Sequence, residues 1–351
     1  MIMTRIKKLR SLFKHKKIDA LLVLRDANIR YLTGFPASES WLFIGPRRTS
    51  FITDFRYVLE AKKGLKGVGV KQYTKSIYET LFDLVAMEDV RRIGIDERHL
   101  TLAQYRTLRR HAPQGVSFIK TNDFVEDFRE IKDADEVERI RNSLRIHKQA
   151  HQYLKRIVKP GITERALLLK LEAFVKSRGA GFSFDTIIAS GVNSCYPHAV
   201  VTGRKIRKDE PLLIDMGIDV EGYKSDLTRM FFLGRIPELV GRVKDCVATA
   251  QRKAIEKVRD GALIASIDYE ARNYLDQQGF GKYFGHALGH GVGLEIHENP
   301  RISQKNSSCL REGMVITIEP AVYFPEKFGV RIEDMVLVTK EGCEVLSDNI
   351  Y

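Results

Sequence analysis

The sequence predicts a two-domain α/β protein, and three observations carry that reading. Strand-like apolar runs alternate with helix-like stretches through the first 127 residues, the pattern of a mixed sheet with helices on its faces. Around FREIKDADEVERIRNSLRIHKQAHQYLKRIV the alternation gives way to one long helix beginning near Asp133. Beyond it, strand and helix patterns mix again. A chain of 351 residues is long enough for two domains and a large core. The boundary falls near residue 127, giving domains 1–127 and 128–351.

The chain opens with MIMTRIKKLRSLFKHKK, where Ile2, Ile6, Leu9 and Phe13 recur at helical spacing among lysines and arginines. That is an amphipathic first helix. IDALLVL follows as a short buried strand, then NIRYLTGF, WLFIG and SFITDF, with helices expected over 76–87 and 101–112. The long helix near Asp133 carries Val137, Ile140, Leu144, Ile146 and Leu154 among its apolar positions. After KPGIT, Thr163 is placed to cap a second helix, and Glu164 sits in its first turn, where a negative charge complements the helix dipole. Helices also fit 236–259 and 264–278, and strands fit PLLIDMGI, KSDLTRMFFLG, GMVITIEPAVYF and VRIEDMVLVT.

Composition excludes several classes. No apolar run approaches the roughly 18 residues of a membrane span, and the N-terminus lacks the hydrophobic core of a signal peptide. Cys195, Cys246, Cys309 and Cys343 are scattered without a CxxC pair, which argues against a disulfide framework or thiolate zinc site and for a reduced, cytoplasmic protein. The net charge is +13, but the basic residues are spread along the chain, with no aromatic-basic or helix-turn-helix signature. A basic, solvated surface is expected, with no specific nucleic acid and no membrane as partner.

Four acids interrupt apolar strand patterns: Asp215 in LLID, Asp226 in SDLT, Glu319 in TIEP and Glu333 in RIED. With DVEG as the hairpin turn, Asp215 and Asp226 are directly opposed, roughly 5 Å apart at Cβ. Glu319 and Glu333 bracket the longer turn FPEKFG in the same manner. Like charges opposed on a buried sheet are destabilising. Either the pairs are protonated, salt-bridged or solvent-facing, or two divalent cations neutralise them. The segment HALGHGVGLEIHENP adds three histidines. His290, flanked by glycines that permit close packing, completes such a metal set as a neutral imidazole.

Together ASGVNSCYPH, LLIDMG, EGYKSDLTRMF, HALGHGVGLEIHE, ITIEP and GVRIED resemble the pita-bread metallopeptidases, within them the Xaa-Pro dipeptidase (prolidase) and aminopeptidase P branch. NIRYLTGF resembles the creatinase-like N-terminal domain, and EIKDADEVERIR the junction that follows it. The resemblance covers nearly the whole chain and implies a creatinase-like α/β domain followed by an α+β pita-bread catalytic domain. It implies that Asp215, Asp226, His290, Glu319 and Glu333 are the metal ligands, with Asp226 and Glu333 bridging two ions. Asp215 would complete one metal, His290 and Glu319 the other. His198 and His297 match residues that contact the scissile carbonyl and the tetrahedral intermediate. Arg331 matches an arginine supporting the metal centre or the substrate carboxylate, and His286 shapes the pocket. Ala321, Glu326 and Met230 depart from common residues of the family and remove no ligand.

The implied activity is hydrolysis of the Xaa-Pro bond at the N-terminus of dipeptides or short peptides by a metal-bridging hydroxide. Glu319 would shuttle the proton, and His297 with one metal would stabilise the oxyanion. The oxygen-rich ligand set favours Mn²⁺, with Co²⁺, Fe²⁺ or Zn²⁺ as alternatives. Other readings are a different metal-dependent enzyme on the same fold, such as an aminopeptidase of other specificity or a small-molecule lyase, or a non-catalytic nucleic-acid or protein binder. A homodimer is expected. The loop TGFPASESW either is an ordinary surface turn with a partly buried Trp41, or reaches over the partner's site with Ser38, Glu39 and an exposed Trp41.

Overall fold

The computed structural model describes residues 2–36 and 38–350. The chain divides into two compact units, Met1–Arg129 and Glu130–Tyr351.

The first unit runs α1 (Ile2–Ser11), β1 (Ala20–Val23), α2 (Asp26–Thr33), β2 (Trp41–Ile44), β3 (Thr49–Thr53), α3 (Val58–Gly64), β4 (Gly69–Gln72), α4 (Ile77–Met87), β5 (Arg92–Ile95), α5 (Leu102–His111), β6 (Ser117–Lys120) and α6 (Glu126–Arg129). Its six strands form one mixed sheet in the order β4-β3-β2-β1-β5-β6. β1 pairs antiparallel with β2 and parallel with β5, which pairs parallel with β6. The central strands are buried along their length, as apolar runs such as ALLV and WLFI require when both faces are covered. Ile6, Leu9 and Phe13 of the amphipathic opening are buried as expected. The Ile2 side chain lies outside the described residues. NIRYLT, which follows the first strand, folds as helix α2 and ends at Gly34, whose φ of 71° closes a left-handed cap. Trp41 is buried in β2, its ring 4.9 Å from Tyr78 in an edge-on contact. Of the two readings of this loop, the one with an exposed Trp41 is therefore corrected: β2 is buried along its whole length and carries the indole into the core, while Ser38 and Glu39 stay exposed.

The second unit begins with α7 (Ala134–Ile157), capped by a reciprocal pair in which Asp133 and Glu136 side chains accept from each other's backbone N–H. It continues through α8 (Glu164–Lys176), β7 (Gly181–Phe182), β8 (Ile187–Ser190), β9 (Pro211–Met216), β10 (Ile218–Val220), β11 (Tyr223–Lys224) and β12 (Leu227–Phe232). Next come α9 (Glu238–Ile255), α10 (Ile264–Gln277), β13 (Gly289–Gly291), β14 (Glu298–Ile302), β15 (Val315–Ile318), β16 (Ala321–Phe324), β17 (Phe328–Arg331), β18 (Asp334–Val338) and β19 (Cys343–Val345). Thr163 caps α8 by accepting from Ala166 N. A five-stranded sheet β14-β13-β15-β18-β19 and a three-stranded sheet β12-β9-β8 hold the site. One apolar core joins α9 and α10 to the first of these through Val243, Val247, Ile267, Leu275, Ile316 and Val336. A second joins α7 and α8 to the other through Leu154, Leu167, Leu171, Ile188 and Ile214. Each such side chain contributes about 1.5–3 kcal/mol when fully buried, so the strands carrying the acids are held from behind by helices. No helix among the described residues is long and apolar enough to cross a membrane.

Candidate metal centre

The four acids converge, but by a different register from the one the sequence suggested. Val220 pairs with Tyr223 around Glu221 and Gly222, whose φ values of 50° and 84° make the two-residue turn of a tight hairpin. The turn is therefore centred one residue later than in DVEG, and Asp215 faces Thr228 rather than Asp226. A shift of two partners keeps side chains on the same face, so Asp226 remains beside Asp215 as a diagonal neighbour. The second pair is as expected: Ile318 opposes Asp334 and Ala321 opposes Arg331, a continuous register in which Glu319 and Glu333 face each other.

The apolar runs are also not continuous strands. Asp226 precedes β12, Glu319 with Pro320 separates β15 from β16, and Ile332 with Glu333 separates β17 from β18. Only Asp215 lies within a ladder. Freed from strict alternation at these breaks, three carboxylates turn towards one point.

His290 arrives from β13, where a register shift between His290 and Gly291 interrupts the pairing with β14 and re-aims the side chain. The flanking glycines are obligatory on packing grounds. A Cβ at Gly289 would lie 2.0 Å from the Thr317 carbonyl oxygen, and one at Gly291 would lie 2.1 Å from that of Asn299. His290 Nδ1 sits 3.1 Å from the Gly291 carbonyl, which can only accept, so Nδ1 carries the proton. Its Nε2 lone pair then points into the centre, 3.6 Å from Asp226 Oδ2 and 3.5 Å from Glu319 Oε1. Ligand atoms of Asp226, His290 and Glu333 all lie within 4.8 Å of one another.

Electrostatics hold several of these acids towards their neutral forms when no metal neutralises them. Asp215, Asp226 and Glu333 are buried. Burial and mutual repulsion push Asp226 and Glu333 well above the usual carboxylate range, and burial pushes Glu319 up to about 8. Asp215 Oδ1 is buried with no hydrogen-bond partner. A lone pair and several acidic oxygens facing one point, one oxygen unpartnered, fit divalent ions bound by oxygen and imidazole donors.

Arg331 is the one cation among them. It is buried and donates from Nη2 to Asp215 Oδ2 at 2.6 Å, from Nε to Thr228 Oγ1 at 2.8 Å and from Nη1 to the Pro197 carbonyl at 3.2 Å. A further bond reaches the Tyr323 hydroxyl. Burial opposes its charge, but the surrounding Tyr323 and acids raise its pKa further. Thr228 passes the bond on, donating to Glu333 Oε2 at 2.9 Å. Arg229 holds the ligand-bearing backbone from the other side, bonding the Glu333 carbonyl, Asp334 Oδ1 at 2.6 Å and the Ile350 carbonyl at 2.6 Å. Gln251 also donates to Asp334, at 3.1 Å.

The remaining histidines line the mouth. His297 and His198 are exposed, and the His297 ring centroid lies 4.3 Å from that of His290. Partial burial and nearby His198 keep His297 below its ordinary pKa. His286 donates from Nδ1 to the Ala287 carbonyl at 2.8 Å and places Nε2 3.4 Å from the Tyr323 hydroxyl. Sequence reasoning missed Thr228, Tyr323, Arg229 and Gln251. Thr228 sits two residues from Asp226, and that spacing could have drawn attention to it. Tyr323 lies in an apolar strand with no sign of its role.

Residues 138–340 match metallopeptidase family M24, and residues 5–131 match the creatinase/prolidase N-terminal domain. The chain is 35% identical over 348 residues to the Xaa-Pro dipeptidase of Pyrococcus horikoshii, covering 98% of this chain and 96% of that protein. It superposes on the Xaa-Pro dipeptidase from Bacillus anthracis with a TM-score of 0.95 at 33% identity, covering 99% of this chain and 98% of the other. For an X-Pro aminopeptidase from Thermotoga maritima the TM-score is 0.88 at 33% identity, with 94% and 96% covered. The two units are thus a creatinase-type α/β domain and an α+β pita-bread domain. The chain belongs to metallopeptidase family M24.

Proposed function

We propose that this protein is a dinuclear metal-dependent exopeptidase that hydrolyses the Xaa-Pro bond at the N-terminus of dipeptides or short peptides. The observation that carries this reading is the convergence of four carboxylates and an imidazole lone pair on one buried centre. Asp226 and Glu333 would be shared by two ions, Asp215 would complete one, and His290 with Glu319 the other. When bound, such ions polarise the peptide carbonyl and activate a water at neutral pH. Manganese is the first choice for this hard donor set, before Co²⁺, Fe²⁺ or Zn²⁺.

The chain's own groups divide the remaining work. Glu319 takes a proton from the attacking water and returns it to the leaving proline nitrogen. His297 and His198, at the mouth, donate to the scissile carbonyl as negative charge develops, and such donors supply roughly 3 kcal/mol or more. Arg331 has bonds to Asp215, Thr228, Pro197 and Tyr323, which favours its supporting the metal centre over binding the substrate carboxylate. Proline suits such a site because its tertiary amide lacks an N–H and its ring fixes the backbone.

A homodimer is part of this reading, with the loop bearing Ser38 and Glu39 reaching over the partner's site and limiting substrate length. Buried Trp41 takes no part in it. A hydrolysis panel of Ala-Pro, Met-Pro, Arg-Pro-Pro and non-proline controls, with Mn²⁺ added, tests the activity. Cleavage of the proline peptides alone supports the proposal. No cleavage with any of the four metals, or equal cleavage of the controls, overturns it. Deletion of Ser38 and Glu39 should change the ratio of dipeptide to tripeptide cleavage, and light scattering should report a dimer.

A further inference from the structure

A second set of metal-ligating side chains lies within Met1–Arg129 and takes no part in the centre described above. β1, β5 and β6 run parallel, so their carboxyl ends open on the same side of the sheet. Residues just beyond those ends share one small crevice: Arg25 after β1, Asp96 and His99 after β5, and Thr121 after β6, with Glu126 from α6. Open α/β sheets bind ligands at that edge.

Ligand atoms of Asp96, His99 and Glu126 all lie within 4.8 Å of one another. His99 Nε2 is 3.8 Å from Asp96 Oδ2 and 3.9 Å from Glu126 Oε1. A tetrahedral ion with bonds of about 2.0–2.1 Å sets its ligands roughly 3.4 Å apart, so small side-chain movements close the set.

Two further observations ask for a partner. Asp96 Oδ2 is buried with no hydrogen-bond partner, and burial pushes its carboxyl above the usual range. Thr121 is 3% exposed and lines the crevice, and its Oγ1 is also without a partner. Burying such groups without a partner is unfavourable.

A cation already sits beside two members of the set, where Glu126 Oε1 also accepts from Asn28 Nδ2 at 2.7 Å. Arg25 Nη1 lies 2.6 Å from His99 Nε2 and 3.1 Å from Glu126 Oε1. A guanidinium has no acceptor, so His99 Nε2 presents its lone pair there, the neutral form that ligates metals. The guanidinium does not satisfy Asp96 Oδ2. Its side chain keeps 24% exposure, on a stem long enough to swing into solvent.

We propose that Asp96, His99 and Glu126 form a divalent transition-metal site of zinc type, separate from the catalytic pair. Arg25 is the displaceable occupant against which the ion competes, and the Thr121 hydroxyl is available to a water on that ion.

The test is zinc content of the full-length protein after equilibrium dialysis against Zn²⁺, for wild type, His99→Ala, Glu126→Gln and Arg25→Gln. His99→Ala and Glu126→Gln should each hold one equivalent fewer than wild type. Arg25→Gln should fill the same site at lower zinc, about tenfold tighter. The readout is a difference between variants, so it does not depend on how many ions the catalytic centre holds. Equal zinc content in wild type, His99→Ala and Glu126→Gln overturns the proposal, as does Arg25→Gln binding no more tightly. Should the variants fail to fold, anomalous diffraction from zinc-soaked wild-type crystals decides. A peak within bonding distance of His99 Nε2 sustains the site, and its absence overturns it.

Discussion

Thr228→Val removes one hydroxyl from the middle of the candidate metal centre and little else. Thr228 is fully buried, and valine nearly matches its shape, so packing is kept. Two bonds are lost: the donation to Glu333 Oε2 at 2.9 Å and the acceptance from Arg331 Nε at 2.8 Å. The bond from the Arg331 guanidinium contributes about 1.5–3 kcal/mol, and the bond to Glu333, whose carboxyl burial and neighbouring acids hold towards its neutral form, about 0.5–1.5 kcal/mol. The metal-free variant should therefore lose about 2–4.5 kcal/mol of stability in its catalytic domain, read as a lower urea midpoint at unchanged slope. Glu333 also loses the group that orients it. Removing a partner of this kind costs about 10- to 100-fold in metal affinity, measurable by competition titration with Mn²⁺. Thr228→Ser restores the hydroxyl and should recover most of both losses. A valine variant with stability within about 0.5 kcal/mol of wild type and unchanged affinity would refute this chain of bonds.

Three other outcomes follow from the same geometry. The centre formed by Asp215, Asp226, His290, Glu319 and Glu333 should bind about two divalent ions, and Asp226→Asn or Glu333→Gln should abolish activity, whereas full activity in a thoroughly chelated sample would rule the dinuclear centre out. His290→Ala should lower metal occupancy, while His297→Ala should keep near-normal metal content and chiefly lose kcat; equal metal loss in both would contradict the assigned roles. The third concerns pH: folding raises the carboxyls of Glu319, to about 8, and of Asp226 and Glu333. Their favourable contribution is complete below the unfolded values near 4 and is lost as pH rises through the folded ones. The melting temperature of chelated protein should therefore fall between pH 5 and pH 8, with metal restoring most at the upper end. A rise across that range would count against it.

Much of this protein was legible in its sequence because the signals are local. Helical spacing of Ile6, Leu9 and Phe13, the helix start near Asp133, the cap at Thr163, and the helices now seen at Glu238–Ile255 and Ile264–Gln277 depend on near neighbours. The acids stood out because buried strands rarely contain them. The turn position did not follow, because DVEG and VEGY differ by one residue and only Glu221 and Gly222 adopting positive φ selects the second. Nor did the breaks at Asp226, Glu319 and Glu333, which arise where two hairpins meet and their sheets diverge. Tertiary packing alone decided that Trp41 goes inside and that Tyr323 reaches Arg331. It also brought Asp96, His99 and Glu126 to one crevice, since parallel strands far apart in sequence align their carboxyl ends only when the sheet is assembled.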